Sequence, residues 1–138
     1  MLQYFIDLMS KKVHLNHVAL QCSDREKASI FFTQIMKIPK LRDFSITQEL
    51  SSKIFGINKN IEIDVYDNSE VRFEVFIVDK INKPEYEHVC IDVQDKEEFV
   101  DACQKFGLEP FTVKKGERDL LFVRDFSGNL YEVKEKNK

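Results

Sequence analysis

The phrase "LNHVALQCSDRE" at residues 15–26 returns as "YEHVCIDVQDKE" at residues 86–97, 71 positions further along the chain. His17 and His88 occupy the same place in the two copies. An apolar i, i+3, i+4, i+7 pattern follows each copy at the same offset, which predicts a helix after each histidine-bearing strand. The chain is therefore predicted to contain two copies of one structural unit.

The signals for helix starts and ends also repeat. Ser23 with Glu26, and Asp95 with Glu98, have the spacing of capping boxes at the start of the two helices. A short extra helix is predicted within "TQELSSKIFG", where Gly56 ends it, and it makes the first unit the longer one. Alternating patterns predict three strands after each main helix, at about residues 40–46, 60–66, 71–78, 111–115, 119–124 and 129–135. The predicted unit is β-α-β-β-β, present twice in one domain.

The composition is that of a small globular protein without a strongly charged partner. A chain of 138 residues is long enough to bury one core. The net charge of -3 argues against nucleic acid as a partner, and no apolar run has the length of a membrane span. Three cysteines without a C-x-x-C pair indicate reduced thiols, so a cytoplasmic location is expected.

Residues 1–12 are predicted to form an N-terminal arm outside the repeat. Leu2, Phe5, Ile6 and Met9 fall on one helical face, which suits an amphipathic segment that docks on a second subunit. The alternative is that the natural start is Met9, so that the first eight residues do not belong to the protein. Both interpretations stay open at this point.

Strand alternation decides which side chains share a face with the repeated histidines. Val18 and Leu20 point toward the helix of their unit, so His17 points to the other side. The same reasoning directs His88 away from the helix of the second unit. His14 has the wrong parity, so the two repeated histidines are predicted to share a site.

By the same alternation, two carboxylates are predicted to lie on the face that carries the histidines. Glu74 in "VRFEVFIV" and Glu132 in "NLYEVKE" lie in the final strands of the two units and face away from the helices. Two imidazoles and two carboxylates would leave two open positions on an octahedral divalent ion, for water or substrate oxygens. Taken singly, a histidine on a sheet is more often a buried or interface group, and an outward glutamate is usually solvated. Their recurrence at matching places in both units favours a metal site.

In their order along the chain, these segments resemble the vicinal oxygen chelate superfamily, which has the glyoxalase/bleomycin-resistance/dioxygenase fold. The resemblance covers about residues 13–135. The last segment resembles the family's usual F-x-x-D-P-D-G-N-x-x-E ending, with Phe126 and Ser127 in place of Pro and Asp. The segments that carry it are "NHVAL", "FFTQIMKIP", "RFEVF", "EHVCIDV" and "FVRDFSGNLYEV".

The resemblance implies an α+β fold of two tandem βαβββ modules, about residues 13–82 and 83–135. Their eight strands are expected to form a curled sheet around a central metal site. A divalent ion, either Ni, Zn, Co or Mn, would be held by His17, Glu74, His88 and Glu132. Members of the superfamily are often dimers, so a homodimer is expected, and the metal site would close within one chain or across two.

Subfamilies of this superfamily differ in their ligands. Glyoxalase I enzymes use His, Glu, His and Glu, as in this chain, whereas methylmalonyl-CoA epimerases usually carry Gln at the position of Glu74. Fosfomycin-resistance transferases and ring-cleaving dioxygenases use three protein ligands, and bleomycin-binding members lack them. The chain is therefore expected to be a glyoxalase-like, metal-dependent lyase or isomerase for a small vicinal-oxygen substrate. The alternatives are a non-catalytic binding protein that sequesters a small molecule, and a thiol transferase or dioxygenase.

The chemistry of the predicted site also suggests roles for individual side chains. The catalytic base is predicted to be Glu132 or Glu74, because a carboxylate displaced from a metal in a water-poor cavity can accept a proton. Lys114 and Lys115 are expected to be solvated, and Cys90 to be a packing residue rather than a nucleophile. Substrate contacts are predicted for Arg72, Phe76, Arg118 and Arg124.

Overall fold

The computed structural model describes residues 1–5, 15–80 and 87–136. The elements of the first unit are β1 (Val18–Cys22), helix α1 (Arg25–Ser29) with a π-helical continuation (Ile30–Ile35), β2 (Lys40–Ile46), α2 (Gln48–Phe55), β3 (Ile61–Asp67) and β4 (Arg72–Ile77). The elements of the second unit are β5 (His88–Val93), α3 (Lys96–Lys105), β6 (Phe111–Lys115), β7 (Arg118–Arg124) and β8 (Leu130–Glu135). The predicted order of two βαβββ units is confirmed, with α2 as an insertion in the first.

Each unit builds its own four-stranded sheet. The strand orders are β1-β4-β3-β2 and β5-β8-β7-β6, so the first strand of each unit pairs with the last. These two pairings are parallel, and the others are antiparallel. Within the described residues, the eight strands thus form two sheets that no strand pairing joins. The topology is that of the predicted α+β fold, and the sheets are not closed into one.

The main helices begin at aspartates. The predicted start at Ser23 is wrong by one residue, because the side chain of Asp24 accepts the hydrogen bond from Lys27 N at 3.1 Å and caps α1. Asp95 caps α3 as predicted, by accepting from Glu98 N at 3.1 Å. In both cases the carboxylate also places a negative charge at the positive end of the helix dipole.

One hydrophobic core joins the two modules. Phe32 stacks on Tyr66 of its own unit with ring centroids 4.8 Å apart, and neighbouring Phe31 contacts Tyr131 of the other unit at 4.9 Å. All four rings are buried. Burying a side chain of this size contributes about 1.5–3 kcal/mol. The first helix therefore packs against both sheets, in a core that the two modules share.

The β7–β8 loop also links the modules. The buried carboxylate of Asp125 accepts hydrogen bonds from the backbone of Ser127 and Asn129 and from the side chains of Asn129 and Tyr131. Asn129 Nδ2 donates in addition to Gln21 O on β1 at 2.9 Å. Burial raises the pKa of the Asp125 carboxyl, although these hydrogen bonds oppose the shift. The loop therefore fixes the end of β1 beside the second sheet.

The N-terminal arm is only partly described. Residues 2–5 form one helical turn, in which the side chains of Leu2 and Phe5 are exposed. Ile6 and Met9 of the predicted apolar face, and His14, lie outside the described residues. Docking of the arm on a second subunit stays a prediction. In the part of the chain that the structure covers, no helix is long and apolar enough to cross a membrane.

Candidate metal centre

Each sheet has one face in the core and one face turned away from it. On β4, Phe73 and Val75 are buried in the core, so the intervening Glu74 lies on the opposite face. On β8, Tyr131 is buried in the core and the adjacent Glu132 lies on the opposite face. We call this face of each sheet the site face. Both predicted carboxylate ligands lie on it, because alternate strand residues point to opposite sides.

On the site face of the first sheet, a histidine and a glutamate come together. His17 Nδ1 lies 3.6 Å from Glu74 Oε2. The parallel register of β1 and β4, with Ala19 opposite Glu74, brings the start of β1 beside this carboxylate. His17 Nδ1 also lies 2.8 Å from Asn16 Oδ1. His17 and Glu74 form the first half-site.

The second sheet presents the corresponding groups. Cys90 on β5 pairs with Glu132 on β8, and His88 precedes Cys90 by two residues on the same face. On the other side of Glu132, its cross-strand neighbour is Phe122, whose ring stacks on Phe111 at 5.5 Å. His88 and Glu132 form the second half-site.

The two half-sites do not meet within one chain. Across the described ranges, no group of three or more His, Cys, Asp or Glu side chains is close enough to hold a metal ion. Each half-site alone offers two donors, whereas a protein metal centre of the predicted kind needs three or four. A single described chain thus carries two separate pairs of candidate ligands.

The first half-site brings together the donor types of a pair of metal ligands. Two donors at adjacent positions of an octahedral ion, each about 2.1 Å from it, are separated by about 3 Å. His17 Nδ1 lies 3.6 Å from Glu74 Oε2, somewhat beyond that separation. Because Nδ1 also contacts the amide oxygen of Asn16 at 2.8 Å, Nε2 is the ring nitrogen that would bind an ion. Imidazole nitrogen and carboxylate oxygen suit Zn, Ni, Co and Mn. These two side chains fit the divalent ion that the sequence analysis predicts.

The predicted substrate-binding residues are spread over the molecule. Phe76 lines a cavity on the site face of the first sheet. Arg72 donates to Asp67 Oδ2 at 2.7 Å and so stabilises the β3–β4 turn. Arg118 and Arg124 occupy opposite ends of β7, and Arg124 donates to Gly128 O at 2.8 Å. Their contact with a substrate stays a prediction.

Cys90 is unsuited to act as a nucleophile. Burial raises the pKa of its thiol, and the negative charge of the facing Glu132 adds to the shift. Since the thiolate is the nucleophilic form, the shift disfavours reaction at neutral pH.

The cavity that Phe76 lines was not predicted from the sequence. Its volume is about 480 Å³, and α2 covers one side of it. Phe55 from α2 meets the ring of Phe76 edge-on, with centroids 5.5 Å apart. The sequence predicts a helix within "TQELSSKIFG", but it does not tell which face of the sheet that helix covers.

Comparison with known proteins identifies the fold. No protein-family model and no curated protein matches the sequence. Among solved structures, the genomically encoded fosfomycin resistance protein FosX from Listeria monocytogenes is similar, with TM-score 0.68, 14% identity, and coverage of 91% of this chain and 95% of that one. A glyoxalase family protein from Bacillus cereus gives TM-score 0.68, 20% identity, and coverage of 91% and 95%. The chain has the fold of the vicinal oxygen chelate superfamily.

A further structure extends this likeness. FosX from Mesorhizobium loti matches with TM-score 0.65, 11% identity, and coverage of 89% of this chain and 91% of that one. The Listeria FosX has also been solved, as a Glu-to-Gln mutant, in complex with Mn(II) and 1S,2S-dihydroxypropylphosphonic acid. At these identities the vicinal oxygen chelate likeness concerns the fold, and the activity of this chain must be argued from its own residues.

Proposed function

We propose that this protein is a divalent-metal-dependent enzyme of the lyase or isomerase type, acting on a small substrate with two neighbouring oxygens. The observation that carries the proposal is the 3.6 Å approach of His17 Nδ1 and Glu74 Oε2 on the site face. The recurrence of His88 and Glu132 on the site face of the second sheet supports it. The complex of FosX with Mn(II) and a vicinal diol offers a precedent on this fold.

The complete site, in this proposal, forms between two copies of the chain. His17 and Glu74 of one protomer would face His88 and Glu132 of its partner. Each protomer carries both half-sites, so a two-fold dimer contains two identical complete sites. The separation of the half-sites within the described part of one chain supports this arrangement.

In this proposal, the bound ion and the glutamates have different roles in the reaction. A bound divalent ion would supply positive charge to two adjacent substrate oxygens and so favour loss of a proton from the neighbouring carbon. We assign the proton transfer to Glu132. Its cross-strand neighbours on the site face are Cys90 and Phe122. The Glu132 carboxylate takes the proton from one carbon and returns it, to the same carbon for epimerisation or to the adjacent one for isomerisation, so no other reactant is consumed. Glu74 is the alternative candidate for this proton transfer.

Metal content tests the ligand set. Purified wild-type protein should carry near-stoichiometric Mn, Zn, Ni or Co by elemental analysis, directly or after reconstitution. His17→Ala should lose the ion, and Glu74→Gln should weaken its binding, because each removes a donor from the first half-site. Gln21→Ala is the matched control, since Gln21 is exposed on the same strand and face. A folded wild-type protein that takes up no metal would refute the proposal.

Turnover tests the base. The substrate screen should include glutathione hemithioacetals, acyl-CoA epimers and fosfomycin. At metal concentrations that saturate its weakened site, Glu132→Gln should lose at least about 100-fold in kcat, because the amide cannot accept the proton. If Glu74→Gln loses turnover instead while Glu132→Gln remains active, the roles are reversed. A metal-loaded protein without turnover on any of these compounds would favour the alternative of a sequestering protein.

A further inference from the structure

The cavity beneath α2 adjoins the first half-site. Its walls come from β1, β4, α2, the segment that follows α2 and the start of β3, and they include Phe55, Ile57, Ile61 and Phe76. Phe76 follows Glu74 by two residues on β4, so the two side chains share the site face and lie roughly 7 Å apart along the strand. One small molecule can therefore contact both the half-site and the cavity.

The chemistry of the walls defines what the cavity accepts. The four named side chains are apolar, and two of them are aromatic rings in edge-on contact. The mouth carries Lys59, Lys80 and Asp79, so it has a net positive charge. Lys59 Nζ lies 3.3 Å from Asp79 Oδ2, and both side chains are largely exposed. Apolar walls with a cationic mouth suit an aromatic or branched alkyl group on a negatively charged molecule.

In the described part of the second module, no helix corresponds to α2. The β6–β7 connection consists of a tight turn at Gly116 and Glu117, where the first module has α2. The volume of about 480 Å³ is the size of a pocket for a small ligand group. The cavity beneath α2 therefore has no counterpart in the described part of the second module.

We propose that this cavity binds an aryl or branched-alkyl substituent of an anionic substrate whose vicinal oxygens lie at His17 and Glu74. Phe55 and Phe76 are the specificity-determining residues. The inference rests on the proposed function for the position of the oxygens, but the apolar subsite can be tested without metal. The substrate class is that of aryl- or alkyl-substituted hydroxy or oxo acids, rather than compounds with only a hydrogen or methyl group beside the oxygens.

The first arm of the test uses metal-free protein. Isothermal titration calorimetry should detect 3-phenylpropionate binding, and propionate should bind at least about tenfold more weakly because it lacks the ring. Phe55→Ala and Phe76→Ala should each weaken 3-phenylpropionate about five- to tenfold. Ile54→Ala is the matched control, since Ile54 neighbours Phe55 on α2 and is similarly exposed, at 59% against 50%, and should bind as the wild type does.

The second arm uses metal-loaded protein. Mandelate, which has a phenyl group beside its hydroxyl and carboxylate, should bind about tenfold more tightly than lactate, and Phe55→Ala should abolish the preference. Equal affinity for 3-phenylpropionate and propionate, or an unchanged Phe55→Ala variant, would overturn the apolar subsite. Equal affinity for mandelate and lactate would overturn its alignment with the half-site. If no metal binds, the proposed function fails, and the metal-free arm still decides on the subsite.

Discussion

Asp64 connects three elements of the first module through its two carboxylate oxygens. Arg25 Nε and Nη2 donate to them at 2.9 and 2.6 Å, and Lys40 Nζ lies 3.2 Å away. The carboxylate is buried, with 1% of the side chain exposed. Burial raises the pKa of Asp64, but the hydrogen bonds from Arg25 and Lys40 outweigh it, so that the pKa lies below its ordinary value. The network joins α1 and β2 to β3.

Asp64→Asn should lower the free energy of unfolding at pH 7 by about 2 kcal/mol. Removing one partner of a buried ion pair costs more than this, but the partly exposed Arg25 and Lys40 remain solvated in the variant. Because the folded-state pKa of Asp64 is depressed, its contribution is present above the unfolded carboxyl pKa of about 4 and is lost as the pH falls through the folded value. The difference from wild type should therefore shrink in acid. Urea unfolding at several pH values measures it.

Asp43 provides the control for this prediction. Its carboxylate also pairs with Lys40, at 3.0 Å, but it is exposed. Asp43→Asn should change the free energy of unfolding by less than about 0.5 kcal/mol. If Asp64→Asn and Asp43→Asn lower the free energy of unfolding equally, burial of the Asp64 carboxylate does not add to its stabilising effect.

At the scale of elements, local signals located the helices and long-range contacts gave them their roles. Thr47 accepts from Leu50 N at 3.2 Å to begin α2, and Gly56 ends it at φ +72°, a conformation that favours glycine. These groups are close in sequence, so the helix could be predicted from its own residues. The contact of Phe55 with Phe76 joins residues far apart in sequence, and it makes α2 the cover of a cavity.

The first main helix contains a feature that its sequence pattern does not predict. Its apolar spacing predicted a helix correctly, but the turn after Ser29 widens into π-helical hydrogen bonds, in which Met36 N donates to Phe31 O at 2.9 Å. The wider turn accompanies the packing of Phe31 and Phe32 against rings of two different sheets. A regular 3.6-residue pattern does not anticipate this, because the two ring contacts depend on how the modules pack.

At the scale of the whole molecule, the central question is whether two chains share each site. Mixed dimers answer it. A His17→Ala chain and a His88→Ala chain, refolded together in equal amounts, should recover about a quarter of the wild-type metal, because half of the dimers are mixed and each has one intact site of two. Each variant refolded alone should bind none. Elemental analysis after gel filtration measures both.

The matched control mixes two chains with damage in the same half-site. His17→Ala with Glu74→Gln leaves every dimer with a damaged first half-site at both positions, so this mixture should not gain metal over its components. Recovery in the first mixture alone would support a shared site. Tight stoichiometric metal binding by monomeric wild-type protein would contradict it.

By itself, the sequence determined the two units, the order of their elements and the face on which His17, Glu74, His88 and Glu132 lie. It could do so because caps, turns and strand alternation depend on residues near one another in the chain. The predicted start of α1 was wrong by one residue.

The tertiary structure decided the rest. It divided the strands into two sheets, separated the half-sites within the described chain, engaged Arg72 in a turn, and laid α2 over Phe76. These features arise from the packing of side chains such as Phe31, which are distant in sequence from their partners. The physical reason is that hydrophobic burial is non-directional, so an apolar pattern predicts that a face will be covered but not which element will cover it.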